Sequence, residues 1–177
     1  LGYRGNFTND LKMNVKKAVA LFESVNKVKE ILKDNENIEA KVVYKFFKTK
    51  SENNDLIIYD SNSKNEISRF TFGRQTDKDM LSLSDYVHPL TSDQDDYVCM
   101  FVSTYGPDIR ELAEKYQNKG EFLISHIIQS LALETAEASA EFIHIKIREM
   151  WGIKDSPYIT NQDIFKAKYI GKRYSFG

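Results

Sequence analysis

Three short blocks of β-branched and aromatic residues constrain this chain more than any other feature. They occupy 41–47 (Lys-Val-Val-Tyr-Lys-Phe-Phe), 56–59 (Leu-Ile-Ile-Tyr) and 67–72, from Ile67 to Phe72. The runs between them, Ser51-Glu52-Asn53-Asn54-Asp55 and Asp60-Ser61-Asn62-Ser63, carry side chains that hydrogen-bond nearby backbone and favour turns. Strands joined by such short polar turns are predicted to form an antiparallel meander. A loop rich in Asp and Ser over 76–95 then leads to a fourth candidate strand at 97–105.

Helical patterning flanks this β-rich middle. Between 9 and 33, Leu11, Val15, Ala18, Phe22, Val25 and Leu32 recur at helical spacing, with neither Gly nor Pro among them. Asn9 or Asp10 would cap that helix, and the polar run Asp34-Asn35-Glu36-Asn37 would end it. Pro107 suits the first turn of a helix running to about 117, because its missing N–H would lack a helical partner there anyway. After Asn118-Lys119-Gly120 a longer helix is expected over 121–150, ending near Gly152. Its 131–140 stretch is crowded with Ala, Ser and Thr, which let a helix pack closely on a sheet or bring backbone near a ligand. The expected fold is α+β: a central antiparallel sheet flanked by helices, in one domain over 1–177.

Composition excludes several functional classes. Twenty-five Lys and Arg against 26 Asp and Glu leave a net charge of −1, so no basic excess points to nucleic acid or a membrane surface. Eleven Phe and ten Tyr supply surface for a core, which argues against a disordered tail. A single cysteine, Cys99, cannot form an internal disulfide or a four-cysteine zinc site. The longest apolar run falls far short of the roughly 20 residues that span a bilayer. The chain opens on Leu1 and closes on Ser175-Phe176-Gly177 as if within a motif, and is expected to be an excerpt of a longer cytoplasmic protein, truncated at both ends.

The usual catalytic signatures are sparse. Glu141-x-x-His144 has the spacing of carboxylate-bridged di-iron helices, but such sites need a second copy, and the other histidines, His88 and His126, do not provide one. There is no Gly-x-Ser-x-Gly elbow, and Cys99 lies in a strand-like run where a buried inert thiol is the usual outcome. No Gly-x-Gly-x-x-Gly or phosphate loop follows a strand. The acidic stretch Asp93-Gln94-Asp95-Asp96 reads as a solvated loop. No catalytic residue and no metal ligand is expected.

One pairing asks for more. Glu137 stands between Ala136 and Ala138 on the long helix, and a carboxylate buried there would need a cationic or hydrogen-bonding partner. Lys172 and Arg173, bracketed by Gly171 and Gly177, could supply one; arginine grips a carboxylate with two parallel hydrogen bonds, and backbone at a glycine can approach a ligand. A ligand with amino, carboxylate and aromatic parts would suit such a pair. On these residues alone, an exposed glutamate and an ordinary turn are the commoner outcome.

The run from Ala132 to His144 (Ala-Leu-Glu-Thr-Ala-Glu-Ala-Ser-Ala-Glu-Phe-Ile-His), followed by Arg148 and Trp151-Gly152, resembles the activation domain of cobalamin-dependent methionine synthase. The terminal Gly171-x-Arg173-x-x-x-Gly177 resembles the start of that family's Arg-x-x-x-Gly-Tyr-Pro-Ala-Cys-Pro motif. Upstream, Tyr3-Arg4-Gly5-Asn6-Phe7, 53–59, Phe72-Gly73-Arg74-Gln75 and Leu83-Ser84-Asp85-Tyr86-Val87 are similar to further family elements, in the same order.

The resemblance implies a domain that binds S-adenosylmethionine for the reductive methylation of inactive cob(II)alamin, so that methionine synthesis from homocysteine can resume. Cobalamin would be bound by another domain of methionine synthase, and flavodoxin or an equivalent reductant would supply the electron. Residue by residue, it implies that Glu137 contacts the ligand, Arg173 binds its carboxylate, and Ser175 and Gly177 offer backbone groups. The alternative is a non-catalytic domain of the same fold that binds a corrinoid protein or a ligand in trans. Ala167 occupies a position that is acidic in some members, and the family's Asp-Trp segment would precede Leu1. Binding by residues 1–177 alone is therefore expected to be weak or undetectable.

Overall fold

The structure, a computed structural model, describes residues 2–60, 62–63, 65–76 and 79–174. Helices α1 (Phe7–Lys12) and α2 (Lys16–Lys33) precede strands β1 (Ala40–Glu52), β2 (Asp55–Tyr59) and β3 (Glu66–Thr71). A 3-10 turn at Leu83–Tyr86 leads to β4 (Asp96–Tyr105), then to α3 (Ile109–Asn118), α4 (Phe122–Met150) and the short α5 (Asn161–Phe165). The strands form one four-stranded antiparallel sheet in the order β3-β2-β1-β4, so the fold is α+β as expected. The chain packs as two compact units, one of Leu1–Val42 with Val102–Ile143, the other of Val43–Phe101 with His144–Gly177.

In the first unit, the single helix expected over 9–33 is broken in two. Asn6, rather than Asn9 or Asp10, caps α1, its side chain accepting from the Asn9 N–H at 3.0 Å. The break falls at Asn14, whose φ of 53° is in the left-handed region that asparagine tolerates better than most residues. Val15 then starts α2 in an extended conformation. The core joins Val28 and Leu32 of α2 with Ile38, Ala113 of α3, and Ile124, Ile127 and Ile128 of α4. Leu21 and Val25 pack against it, while Phe22 is left exposed at the margin of the α2 stripe. Each fully buried isoleucine contributes about 1.5–3 kcal/mol relative to exposure.

The small residues of α4 are used for close packing within this unit. The Ser103 hydroxyl of β4 donates to the Ala136 carbonyl at 2.9 Å. Bulkier side chains along this part of the helix would hold its backbone farther from the strand. Gly106, after β4, has φ 65°, and a Cβ there would lie 3.1 Å from the Cα of Ile38.

In the second unit, β1 and β2 join through Asn53-Asn54, with Asn53 at φ 55° and Glu52 opposite Asp55. Leu56, Ile57 and Ile58 are all buried, and since successive side chains point to opposite faces, both faces of β2 are covered. A bulge between Ile58 and Tyr59 shifts the register against β3. The first strand also runs farther than its apolar block. Thr49, Lys50 and Ser51 are buried because other segments take their hydrogen bonds. Thr49 Oγ1 donates to Ile57 O at 2.8 Å, Lys50 Nζ to Ser92 O at 2.8 Å and Ser51 Oγ to Val87 O at 2.8 Å. The loop before β4 is thus bound to the polar end of β1, and Asp95 within it pairs with Lys48 at 2.6 Å.

Candidate functional site

The last turns of α4 place His144 and Arg148 four residues apart on one face of the helix. Both are buried, at 6% and 1% exposure. An arginine so enclosed needs its charge matched and its N–H groups accepted. Nε donates to Asp155 Oδ1 at 3.2 Å, Nη2 donates to Asp155 Oδ2, and Nη1 donates to His144 Nδ1 at 2.9 Å. The ring of Tyr169 lies over the guanidinium at 4.3 Å and meets the His144 imidazole edge-on at 4.9 Å.

Asp155 reaches Arg148 because α4 ends sharply. Gly152, at φ 78°, follows the last helical turn; its N–H donates to Glu149 O, and that of Ile153 to Arg148 O, both at 3.0 Å. This is a glycine-terminated Schellman stop, which turns the chain back along the helix end. His144 is pushed down to about 4, first by burial and then by the positive charges of Arg148 and Arg173, with Asp155 opposing. It is a neutral acceptor at Nδ1 that carries its proton on Nε2. In the sequence, this histidine stands at metal-ligand spacing from Glu141 and also closes the run from Ala132 that carries the family resemblance. Among the described residues, no group of three His, Cys, Asp or Glu side chains is placed to hold a metal ion.

Beyond Tyr169 the chain turns through Gly171 to Lys172, Arg173 and Tyr174. These three line an open cleft of about 400 Å³ together with Thr71, Phe72, Ser82 and Tyr86. Tyr174 packs edge-on against Phe72 at 5.2 Å, and Lys172 Nζ lies 5.5 Å from the Tyr86 ring centre. One wall therefore offers cations and aromatic rings, a surface suited to a ligand with an anionic end and a flat aromatic part.

Two of the family-like sequence elements contribute residues to this cleft, Phe72, Gly73 and Gln75 from one and Leu83 and Tyr86 from the other, and they are tied together beside it. Arg74 grips Asp85 with two 2.9 Å hydrogen bonds, while also donating to Asn54 Oδ1 and Met80 O. The Asp85 carboxyl is held below its ordinary range, first by Arg74 and then by the Ser82 N–H. Asp85 and Ser82 also close a reciprocal cap on the 3-10 turn.

The expected site residues fall as follows. Glu137 lies on α4 in the first unit and is exposed. Arg173 lies in the second unit, exposed at the cleft. Ser175 and Gly177 lie outside the described residues. Sequence reasoning missed the cluster of Arg148, Asp155 and Tyr169. Its trace was an arginine four residues after a histidine, flanked by Ile145 and Ile147, with an aspartate three residues past a helix-stopping glycine.

An antiparallel sheet with helices, whose C-terminal segment presents arginine at an aromatic-lined cleft, defines an α+β domain with a candidate ligand site. The chain belongs to the family of the vitamin B12-dependent methionine synthase activation domain, whose model matches residues 3–177. It is also similar to a crystal structure of the MetH reactivation domain bound to AdoHcy, with a TM-score of 0.82 and 26% identity. That match covers 97% of this chain and 55% of the other, so the chain spans little more than half the length of its solved relative. Among the described residues, no helix is long and apolar enough to cross a membrane.

Proposed function

We infer that residues 1–177 form a single S-adenosylmethionine-binding domain that reactivates a cobalamin-dependent methionine synthase in the cytoplasm. The observation that carries this reading is the likeness, along nearly the whole chain, to a reactivation domain solved with AdoHcy, the demethylated product of S-adenosylmethionine. In this reading Arg173 clamps the amino-acid carboxylate, Glu137 contacts the ligand, and Ser175 and Gly177 contribute backbone groups. The exposure of Arg173 beside Phe72, Tyr86 and Tyr174 fits a ligand with an anionic end and an adenine ring.

S-adenosylmethionine, when bound, supplies the methyl group for reductive methylation of cob(II)alamin held by another domain, with the electron drawn from flavodoxin or an equivalent reductant. The residues of this chain bind and orient, and none is asked to act as an acid or a base. Its enzymatic role is that of one part of a methyltransferase.

The test is a calorimetric titration of S-adenosylmethionine into the full-length polypeptide carrying these residues, with Arg173→Ala and Glu137→Ala alongside. Saturable binding that each substitution weakens by about 1.5–3 kcal/mol, tenfold or more, is expected for loss of a charged contact. A folded polypeptide that binds neither S-adenosylmethionine nor S-adenosylhomocysteine would sink the reading and leave only a shared fold.

A further inference from the structure

The segment that carries Arg173 is held before it by Tyr169 and after it by Tyr174, which packs on Phe72. Its approach is anchored before Tyr169, where the Lys168 backbone N–H donates to Asp163 O at 2.9 Å and its Nζ reaches Asp163 Oδ1 at 3.0 Å. After Tyr169 come exposed Ile170, then Gly171 at φ 105°, then exposed Lys172 and Arg173. Between the anchored and the exposed parts, the Tyr169 ring rests on the Arg148 guanidinium at 4.3 Å and on the edge of His144 at 4.9 Å.

Arg148 is itself fixed, because Asp155 and His144 take its N–H groups and it is 1% exposed. Gly171 backs onto the same side chain, so that a Cβ there would lie 3.8 Å from Arg148 Cδ. A buried, hydrogen-bonded guanidinium is thus the platform on which the segment leading to Arg173 is laid. If that platform lost the ring, the chain around Gly171 would have more conformations to lose whenever Arg173 engaged a ligand, and affinity would fall.

We propose that Tyr169 is a positioning residue: held on Arg148 and His144, it sets where Arg173 meets the carboxylate of an amino-acid-bearing nucleoside. The inference rests on the reading of Arg173 as a ligand contact and adds to it the group that places this contact. Its effect is therefore specific to one end of the ligand.

The experiment is a set of calorimetric titrations into the full-length polypeptide with two probes, S-adenosylhomocysteine and its decarboxylated analogue, which lacks only the carboxylate. Wild type, Tyr169→Leu, Tyr169→Phe, Arg173→Ala and the Tyr169→Leu/Arg173→Ala double variant are compared, with thermal unfolding midpoints measured in parallel. Tyr169→Leu is expected to weaken S-adenosylhomocysteine about fivefold or more and to change the decarboxylated probe by less than about twofold. It should add almost nothing in the Arg173→Ala background, since two residues acting through one contact are not additive. Tyr169→Phe keeps the ring and should bind as wild type does. Gly171→Ala, strained by its positive φ, disturbs the same segment without removing the ring and should show the same selectivity if Tyr169→Leu does not fold.

Equal losses for the two probes, an undiminished loss in the Arg173→Ala background, or no loss at all would overturn the positioning role. A wild-type polypeptide that binds S-adenosylhomocysteine while Tyr169→Leu and Gly171→Ala are unimpaired refutes this inference alone. A folded wild type that does not bind S-adenosylhomocysteine refutes the proposed function and this inference with it.

Discussion

Arg148 Nη1 donates to His144 Nδ1 across 2.9 Å, one turn apart on α4, and the pair is roofed by the ring of Tyr169. An arginine cannot give up its proton, so the histidine must stay neutral to accept from it. The pairing fixes both the tautomer and the charge of His144.

Stability should consequently depend on pH through this residue. The folded-state value is pushed down to about 4 from 6.5, so between those values the unfolded chain binds the extra proton. The contribution is complete above pH 6.5 and is lost as pH falls toward 4. From pH 7 to pH 4.5 the loss is about 2 kcal/mol. His144→Asn, whose Oδ1 can replace Nδ1 as acceptor, should flatten this part of the profile in urea unfolding measured at both pH values. An identical slope in wild type and variant would contradict the assignment.

Removing the arginine exposes the cost of its partner. Asp155, with its side chain 12% exposed, would be left as a largely buried carboxylate without its cation. Arg148→Met is expected to destabilise the protein by about 3–5 kcal/mol. Chemical denaturation of Asp155→Asn and of the double variant would show whether the loss comes from the orphaned charge, because the double variant should recover part of it.

Gly106 offers a test in the other unit. A methyl there meets the Ile38 Cα at 3.1 Å while the backbone holds φ 65°. Gly106→Ala should cost about 1–3 kcal/mol from the unfavourable backbone and the contact together. A denaturation midpoint unchanged from wild type would mean that the backbone between β4 and α3 yields freely.

Cys99 should be a sluggish nucleophile. Burial pushes its thiol up to about 11, against a smaller opposing effect of a backbone hydrogen bond from Lys45. Reaction with an aromatic disulfide reagent at pH 8 is expected to run at least about tenfold slower in the folded protein than in urea, because the thiolate is the reacting species. Equal rates would mean that the thiol is accessible and ordinarily acidic.

Much of the fold was legible in the sequence because the signals are local. The blocks at 56–59 and 97–105 became β2 and most of β4, and the pattern over 121–150 became α4 almost residue for residue. Turn chemistry at Asn53-Asn54, helix-stopping Gly152 and the helical spacing of apolar residues each depend on neighbours a few positions away. The resemblance carried by Ala132 to His144, Arg74 and Asp85 was likewise written in residue order, and it was enough to name the family.

Tertiary structure alone decided which polar groups are buried. Nothing near Ser51 in sequence announces that Val87, 36 residues on, will accept its hydroxyl, so the C-terminal end of β1 reads five residues shorter than it is. Glu137 among alanines suggested a buried carboxylate, yet it is exposed, because local spacing gives a helix face without saying what covers it. Arg148 read as one more charge on a long helix until Asp155, His144 and Tyr169 closed around it. A buried charge persists only where distant partners arrive in the right geometry, and that arrangement exists only once the chain has folded.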